Sequence, residues 1–320
     1  MKKFKVIIDT DPGIDDSTAL FFALTEPKLD IKLFCTSGGN VTLEHSTRNV
    51  CHILDLLEKN IPVAKGYSKR FGNSEEFAYH MHGTEGMGNY IPPKTTKTKP
   101  IKGDCADAIY EVLKKYPNEI TYFEFGPHTN LANLLKKYPD SKKLIKQIIM
   151  MGGAPGGIKI NPNYASFNIR TDVEAFEKTI NSGITTTLCP SRVGREITHF
   201  TEEQVEFVKN SSLIGRFFAM TYETYWEPGY DEKILSCCDL TALFYLLYPK
   251  FFKTENAFLT LDTQEHPGKL TANYSRKGNF KIIRDVNRKK FQKIVFKKLE
   301  DFKKIQITNK TFLKNLKEAD

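Results

Sequence analysis

Short apolar runs alternate with amphipathic stretches between residues 5 and 189. The apolar runs are typical of buried strands, and the stretches between them repeat apolar residues at helical spacing. The predicted strands cover residues 5–9, 31–35, 121–125, 145–151 and 185–189, and the predicted helices cover residues 16–25, 43–58, 130–137 and 172–182, with another ending near residue 116. Because strands that alternate with helices form βαβ units, we predict an α/β fold with a mostly parallel twisted sheet flanked by helices.

The carboxy-terminal part of the chain has a different pattern. Residues 201–247 are largely helical and aromatic-rich, which predicts a helical cap over the sheet edge. Strand-like stretches and a basic helix near residues 288–302 follow. Since we find no repeat and no low-complexity linker, we predict a single domain over residues 1–320. Residues 66–103 show few periodic signals and predict a long loop that is functional or mobile.

Composition limits the class of protein. Hydrophobic residues make up 40% and charged residues 27% of the 320 positions, which excludes wholesale disorder. The net charge of +9 comes mostly from scattered lysines, so we predict a solvated surface rather than a nucleic-acid groove. No apolar run is long enough to span a membrane and no signal peptide fits the charged amino terminus. The six cysteines lack metal or disulfide spacing, which predicts reduced thiols in a cytoplasmic protein.

The strongest chemical signal is the segment 9–16, which reads Asp-Thr-Asp-Pro-Gly-Ile-Asp-Asp. Four carboxylates follow the first predicted strand, and their mutual repulsion is costly unless a cation is bound. Hard carboxylate oxygens select Ca²⁺ or Mg²⁺. A helix start with surface acids would explain one or two of these residues but not all of them. The segment therefore predicts a metal site at the carboxyl end of a strand.

A phosphatase is an alternative interpretation of the same segment. An apolar strand followed by Asp-x-Asp also opens the haloacid-dehalogenase-type phosphatases, in which the first aspartate, here Asp9, is a nucleophile. Pro12 after Asp11 and the second acidic pair so soon afterwards count against this alternative.

The segment 9–16 resembles the amino-terminal signature Asp-x-Asp-Pro-Gly-x-Asp-Asp of the inosine-uridine-preferring nucleoside hydrolases. Further matches follow in the family's order: Gly39-Asn40, Thr47-Arg48-Asn49, His82-Gly83, Gly126-Pro127-His128-Thr129-Asn130, Met151-Gly152-Gly153, Phe167-Asn168 and Cys238-Asp239. The resemblance extends from about Lys5 to about Phe302. It implies an enzyme with a Rossmann-like core that hydrolyses the N-glycosidic bond of ribonucleosides to ribose and free base, commonly as a homodimer or homotetramer.

The resemblance also implies a Ca²⁺ cofactor held by Asp11, Asp16, Asp239 and the carbonyl oxygen of Phe125. Ca²⁺ takes 6–8 oxygen ligands, so places remain for water and for two neighbouring ribose hydroxyls. Asp11 is the candidate general base toward a calcium-bound water. A protein of the same fold that binds a nucleoside or ribose with weakened turnover is the alternative.

The substrate contacts implied by the resemblance are Asp15, Asn40, Met151, Asn161, Ser166, Asn168, Trp226 and Asp239. Asp15 would accept a hydrogen bond from the 2′-hydroxyl, and Met151 would line the ribose face. Asn161, with Asn163 as the alternative, would contact the 5′-hydroxyl. Some family members stack aromatic rings on the base, and Trp226, Tyr222 and Tyr225 offer that here, with packing in the core as the alternative for these three residues.

Two positions depart from the family pattern. Ser166 stands where the family often has a glutamate on the 5′-hydroxyl, which weakens that contact or admits a different 5′ group. Cys238 stands where many members have a histidine that protonates the departing base, and a thiol is a poor acid for this role. We therefore expect His82 to protonate the base, with His80 or a tyrosine in 222–230 as alternatives.

Overall fold

The structure is a computed structural model that describes residues 3–72, 74–223, 225, 234–305, 307–309, 312–313 and 316. The strands are β1 (Phe4–Thr10), β2 (Leu29–Thr36), β3 (Val63–Lys65), β4 (Ile120–Glu124), β5 (Ile145–Met151), β6 (Thr186–Cys189), β7 (Phe200–Thr201), β8 (Ile234–Leu235), β9 (Phe252–Leu261), β10 (Leu270–Tyr274) and β11 (Phe280–Val286). The helices are α1 (Ile14–Thr25), α2 (Leu43–Leu56), α3 (Tyr79–His82), α4 (Cys105–Lys115), α5 (Thr129–Lys137), α6 (Phe167–Arg170), α7 (Val173–Ile180), α8 (Glu202–Lys209), α9 (Leu213–Tyr222), α10 (Cys238–Leu247) and α11 (Arg288–Asp301).

Within the described residues, nine strands form one sheet in the order β10-β9-β11-β6-β5-β4-β1-β2-β3. Every neighbouring pair from β11 to β3 is parallel, whereas β9 is antiparallel to both β10 and β11. The mostly parallel sheet flanked by helices is therefore confirmed. Parallel strands align their carboxyl ends at one edge, so the segments that follow β1, β2, β4, β5 and β6 meet there.

The core has two layers, one on each face of the sheet. Successive side chains of a strand point to opposite faces, so Val6 and Ile8 of β1 join one apolar cluster while Ile7 joins the other. All three side chains are fully buried, which explains the short apolar run at the centre of β1 in the sequence. Helix α1 is also buried along nearly its whole length, because it packs against α2, α9 and α10.

Helices α8, α9 and α10 fill most of the described part of 201–247, where the sequence predicts a helical cap. The ring of Phe21 in α1 lies 5.4 Å from the rings of both Phe217 and Phe218 in α9. Helix α9 therefore packs against α1, and both helices contribute side chains to the same apolar cluster on one face of the sheet. None of the helices within the described ranges has the length and apolar character needed to cross a membrane.

The predicted loop 66–103 is anchored to the body of the protein. Met87 and Tyr90 are buried in it, and the Tyr90 hydroxyl lies 2.8 Å from Nε2 of His52 in α2. The short helix α3 carries His82 toward the carboxyl edge of the sheet. The loop thus forms one wall of the site described next.

Candidate active site

Three aspartates from distant parts of the chain meet at the carboxyl edge of the sheet. One carboxylate oxygen each of Asp15, Asp16 and Asp239 lies within 4.8 Å of the other two. Asp15 and Asp16 open α1 directly after β1, and Asp239 lies in the first turn of α10. Because α10 packs against both α1 and β5, residues more than two hundred positions apart share one buried cluster.

Asp11 lies beside this cluster, and its carboxylate is held closely. Its Oδ2 accepts a hydrogen bond from the backbone amide of Asn40 at 2.7 Å. A Cβ atom on Gly39 would lie 1.9 Å from the same oxygen, and one on Gly126 would lie 2.9 Å from Oδ1. The turns after β2 and β4 therefore need glycine so that their backbones can approach the Asp11 carboxylate.

The electrostatics of the cluster favour a bound cation. Oδ1 of Asp11 and both carboxylate oxygens of Asp239 are buried without a hydrogen-bond donor. Burial, reinforced by the nearby Asp16 carboxylate, raises the pKa of Asp11 and of Asp239 well above the ordinary value. A divalent ion with a preference for hard oxygens would neutralise these charges, so the donor set fits Ca²⁺.

Asp16 is oriented by hydrogen bonds to both of its oxygens. The Thr10 hydroxyl donates to Oδ1 at 2.6 Å, and the Asn40 side-chain amide donates to Oδ2 at 2.9 Å. The amide of Gly13 also donates to Oδ2, at 3.2 Å. These bonds fix the rotamer of Asp16 toward Asp239, and Asn40 therefore positions both Asp11 and Asp16.

The carbonyl oxygen of Phe125, a predicted metal ligand, lies directly after β4. It accepts a hydrogen bond from the Asn168 side-chain amide, which also approaches the Met151 carbonyl at 3.4 Å. A carbonyl oxygen has two lone pairs, so this bond leaves one of them for a cation. The contact uses the amide nitrogen of Asn168 and leaves its Oδ1 as an acceptor.

Two adjoining cavities open over the aspartate cluster. The inner cavity, of about 60 Å³, is lined by Asp15, Asn40, Met151, Ser166 and Asn168 among others. The outer cavity, of about 330 Å³, has the size of a small-molecule site. The residues that line both cavities are Asn40, His82, Tyr164, Phe167, Arg195 and Tyr225. The structure thus brings most of the predicted substrate contacts to one place.

His82 lies in both cavities as a neutral ring. Its Nδ1 accepts a hydrogen bond from the Ile14 amide at 3.1 Å, so the ring hydrogen is on Nε2. Burial lowers the pKa of His82 to about 3, with smaller contributions from His80 and Arg195. At neutral pH His82 can therefore donate a hydrogen bond through Nε2, and its role as the proton source for the base stays a prediction.

The other predicted contacts have distinct environments. Asn161 lines the outer cavity, whereas Asn163 accepts a hydrogen bond from the Lys269 ammonium at 2.6 Å. Ser166 accepts a hydrogen bond from the Gly153 amide at 2.5 Å, so its hydroxyl is held by the loop after β5. Trp226 lies outside the described residues.

Asp9 does not face the cavities. Its two oxygens accept hydrogen bonds from the Tyr122 hydroxyl at 2.7 Å and from the Asn130 side-chain amide at 2.8 Å. Burial raises the pKa of Asp9 to about 7. A fully buried carboxylate held in this way is a poor nucleophile, which argues against the phosphatase alternative.

Sequence reasoning missed Arg195, Tyr164 and Phe167 as groups that line the site. Arg195 follows β6 on a π-helical turn, Val193–Ile197, and its guanidinium lies 5.0 Å from the centre of the Tyr164 ring. The position of Arg195 after a predicted parallel strand was the available signal, because such segments lie at the ligand-binding edge.

Comparison with known proteins identifies relatives that match most of this chain. The family model described as inosine-uridine preferring nucleoside hydrolase matches residues 6–293. The non-specific ribonucleoside hydrolase RihC of Escherichia coli O127:H6 is 30% identical over 305 residues, covering 92% of this chain and 97% of that protein. RihC of Salmonella agona is 32% identical over 261 residues, covering 81% and 83%.

Solved structures show the same similarity. A plant nucleoside hydrolase, PpNRh1, superimposes with a TM-score of 0.85 at 28% identity, covering 92% of this chain and 98% of that one. A purine-preferring ribonucleoside hydrolase from Gardnerella vaginalis also gives a TM-score of 0.85, at 25% identity, covering 94% of this chain and 100% of that one.

Proposed function

This chain belongs to the inosine-uridine-preferring nucleoside hydrolases, enzymes that cleave the N-glycosidic bond of ribonucleosides, and we propose that it does so with calcium bound where Asp11 adjoins the aspartate cluster. The observation that carries the proposal is the meeting of Asp15, Asp16 and Asp239 within 4.8 Å, beside buried carboxylate oxygens that lack donors. Asp11, Asp16, Asp239 and the Phe125 carbonyl would hold the ion. When bound, calcium orients neighbouring ribose hydroxyls and makes water more acidic.

The inner cavity provides acceptors for the sugar. The Asp15 carboxylate can accept a hydrogen bond from the 2′-hydroxyl. Asn40 and Asn168 both use their amide nitrogens on protein acceptors, so each presents its Oδ1 to a sugar hydroxyl. Met151 closes the ribose face, and Asn161 at the outer cavity can reach the 5′ side.

Asp11 has the properties of a general base. Its Oδ1 has no hydrogen-bond donor, and burial beside Asp16 raises its pKa, which makes the carboxylate more basic. The water that attacks C1′ gives its proton to this oxygen as the bond to the base breaks. Charge then develops toward an oxocarbenium ion on the sugar, as in other glycoside hydrolyses. The aromatic rings of Phe167 and Tyr225 line the cavity where the base would lie.

We also propose that the enzyme acts on free ribonucleosides in purine and pyrimidine salvage in the cytoplasm, as a homodimer or homotetramer. All six cysteines are free and buried, which supports a reducing compartment. We do not assign the basic surface to nucleic acid or to a membrane.

The test is the Asp11→Asn variant, assayed for reducing-sugar release from a panel of ribonucleosides with calcium present. Because the substitution keeps the volume and removes the base, we expect activity to fall by about 10²-fold or more while the fold persists. Glu265→Gln, an acid-to-amide change at an exposed turn, is the matched control. Wild-type turnover in Asp11→Asn would contradict the mechanism. Calcium-dependent nucleoside binding without any ribose release from the wild type would identify a binding protein instead.

A further inference from the structure

A permanently charged guanidinium lies at the junction of the two cavities. Arg195 lines the inner cavity together with Asp15 and Asn168, and it also lines the outer cavity. Its position is set by the π-helical turn that carries it, Val193–Ile197, and by the contact of its guanidinium with the Tyr164 ring. The preceding residue, Gly194, packs so tightly on α10 that a Cβ there would lie 2.3 Å from the Cys238 sulfur.

The junction is where the scissile bond has to lie, given the proposed function. The sugar occupies the inner cavity next to the aspartates, and the base occupies the larger outer cavity. The C1′–N bond therefore crosses the boundary between them. Groups that line both cavities are the ones placed to act on the atoms of that bond.

The departing base needs positive charge or a proton, because both electrons of the broken bond remain on its nitrogen. Burial keeps the His82 ring neutral and the Ile14 amide donates to its Nδ1, so His82 offers only the weakly acidic Nε2 hydrogen. The Tyr225 hydroxyl lies 2.6 Å from the Ser236 hydroxyl and is engaged there. The thiol of Cys238 points to the Ser191 carbonyl at 3.8 Å. None of these groups brings a positive charge.

Arg195 does bring one, since a guanidinium stays protonated at any pH the fold tolerates. The other arginine of the outer cavity, Arg170, is absent from the lining of the inner cavity, whereas Arg195 lines both. Among the residues that the structure describes, the lining of the outer cavity contains no carboxylate.

We propose that Arg195 is a catalytic residue that stabilises the negative charge of the departing base. As the C1′–N bond breaks, both of its electrons go to the base nitrogen next to the guanidinium. The water oxygen forms the new bond to C1′, and its proton goes to Asp11. Arg195 keeps its protons throughout, and the released base takes a proton from solvent.

The experiment compares two substrates in the Arg195→Met variant with calcium present. Inosine has a base that departs poorly without help, whereas p-nitrophenyl β-D-ribofuranoside releases a stable phenolate that needs none. We expect kcat for inosine to fall by about 10² to 10³-fold, the usual cost of removing one preorganised donor to a developing anion. The rate for the nitrophenyl riboside should be nearly unchanged. Arg195→Lys, which keeps the charge, should recover part of the inosine rate.

Arg276→Met is the matched control, because Arg276 is exposed on the turn between β10 and β11. Thermal unfolding and calcium binding by calorimetry should be the same in the wild type and in both methionine variants. Equal losses on the two substrates would overturn the proposal and assign Arg195 to the sugar or to the fold. No loss on inosine would overturn it as well. A rise in KM confined to 5′-phosphorylated nucleosides would overturn it in favour of a phosphate-binding role.

The two proposals fail in different ways. If the wild type cleaves neither substrate, the proposed hydrolase function fails and this inference fails with it. If the wild type and Arg195→Met cleave inosine equally well, only the role of Arg195 is refuted.

Discussion

Replacing Asp239 with asparagine should stabilise the metal-free protein and abolish its response to calcium. The substitution keeps the shape of the side chain and removes one charge from the buried cluster. In the wild type, the oxygens of Asp239, Asp15 and Asp16 lie within 4.8 Å of one another. The same crowding that destabilises the empty site is what binds the cation, so one substitution should change the two properties in opposite directions.

The magnitude follows from Coulomb's law. Two unit charges 4.8 Å apart repel by about 3.5 kcal/mol at an effective dielectric constant of about 20. The metal-free protein avoids part of this cost by binding protons, since burial and neighbouring acids raise the pKa of Asp239 and Asp11. We therefore expect Asp239→Asn to raise the free energy of unfolding by about 2 to 4 kcal/mol at pH 8, and by less at acidic pH.

The stability of the metal-free protein should fall as the pH rises. In the unfolded chain these carboxyls lose their protons near the ordinary value, whereas in the folded metal-free chain they keep them to higher pH. The folded state therefore binds more protons, and its stability falls as the pH rises through the raised pKa values. Asp239→Asn removes one such group and should make this fall less steep.

The assay is urea unfolding at pH 5.5 and pH 8, with either a chelator or calcium in the buffer. The wild type should gain about 2.7 kcal/mol when calcium is a hundredfold above its Kd, and Asp239→Asn should gain little. Glu265→Gln should behave as the wild type does in every buffer. The reasoning is refuted if Asp239→Asn is less stable than the wild type in chelator, or if calcium stabilises both proteins equally.

Two other predictions test the surroundings of the cluster. Gly39→Ala should weaken calcium binding and ribose release, because the added Cβ would lie 1.9 Å from an Asp11 oxygen. Gly72→Ala is the control, because its Cβ would point into open space and should change neither property. Equal calcium affinities of the two variants in calorimetry would contradict this prediction. His128 should contribute about 2 kcal/mol to the stability that the calcium-loaded protein loses between pH 7.5 and pH 5, because burial lowers the pKa of His128 from 6.5 to about 3 and only the unfolded chain then takes up the proton. Urea unfolding should show a flatter pH dependence for His128→Gln, and an unchanged slope would count against the assignment.

The sequence predicts those parts of the site whose residues are close together along the chain. Asp11, Asp15 and Asp16 follow a buried strand within a few positions, so their meeting follows from the chain itself. Asp239 came only from the family resemblance, because no local pattern indicates that α10 packs on α1. Strand β3 has three residues and is too short for a periodic signal.

The antiparallel strand β9, which pairs with β10 and β11, has a weak signal in the sequence. Strand β9 is exposed on much of its length, with Phe258 46% exposed, so it lacks the apolar run that identifies β1. Its place beside β11 depends on pairing across the sheet rather than on its own composition. The position of a partly exposed strand depends on the strands that pair with it, and a single sequence does not indicate which strands those are.

The chemical state of a side chain depends on partners that are even less visible in the sequence. The motif at His82 indicates a histidine in the site, but the Ile14 amide, 68 positions away, is what makes Nδ1 an acceptor, and burial among distant residues is what keeps the ring neutral. His82 is neutral and Cys238 is a thiol, so neither brings a positive charge to the departing base. The turn after β6 supplies Arg195 at that place. A fixed cation in place of a titrating acid would make base release depend on electrostatic stabilisation more than on the protonation state of the enzyme.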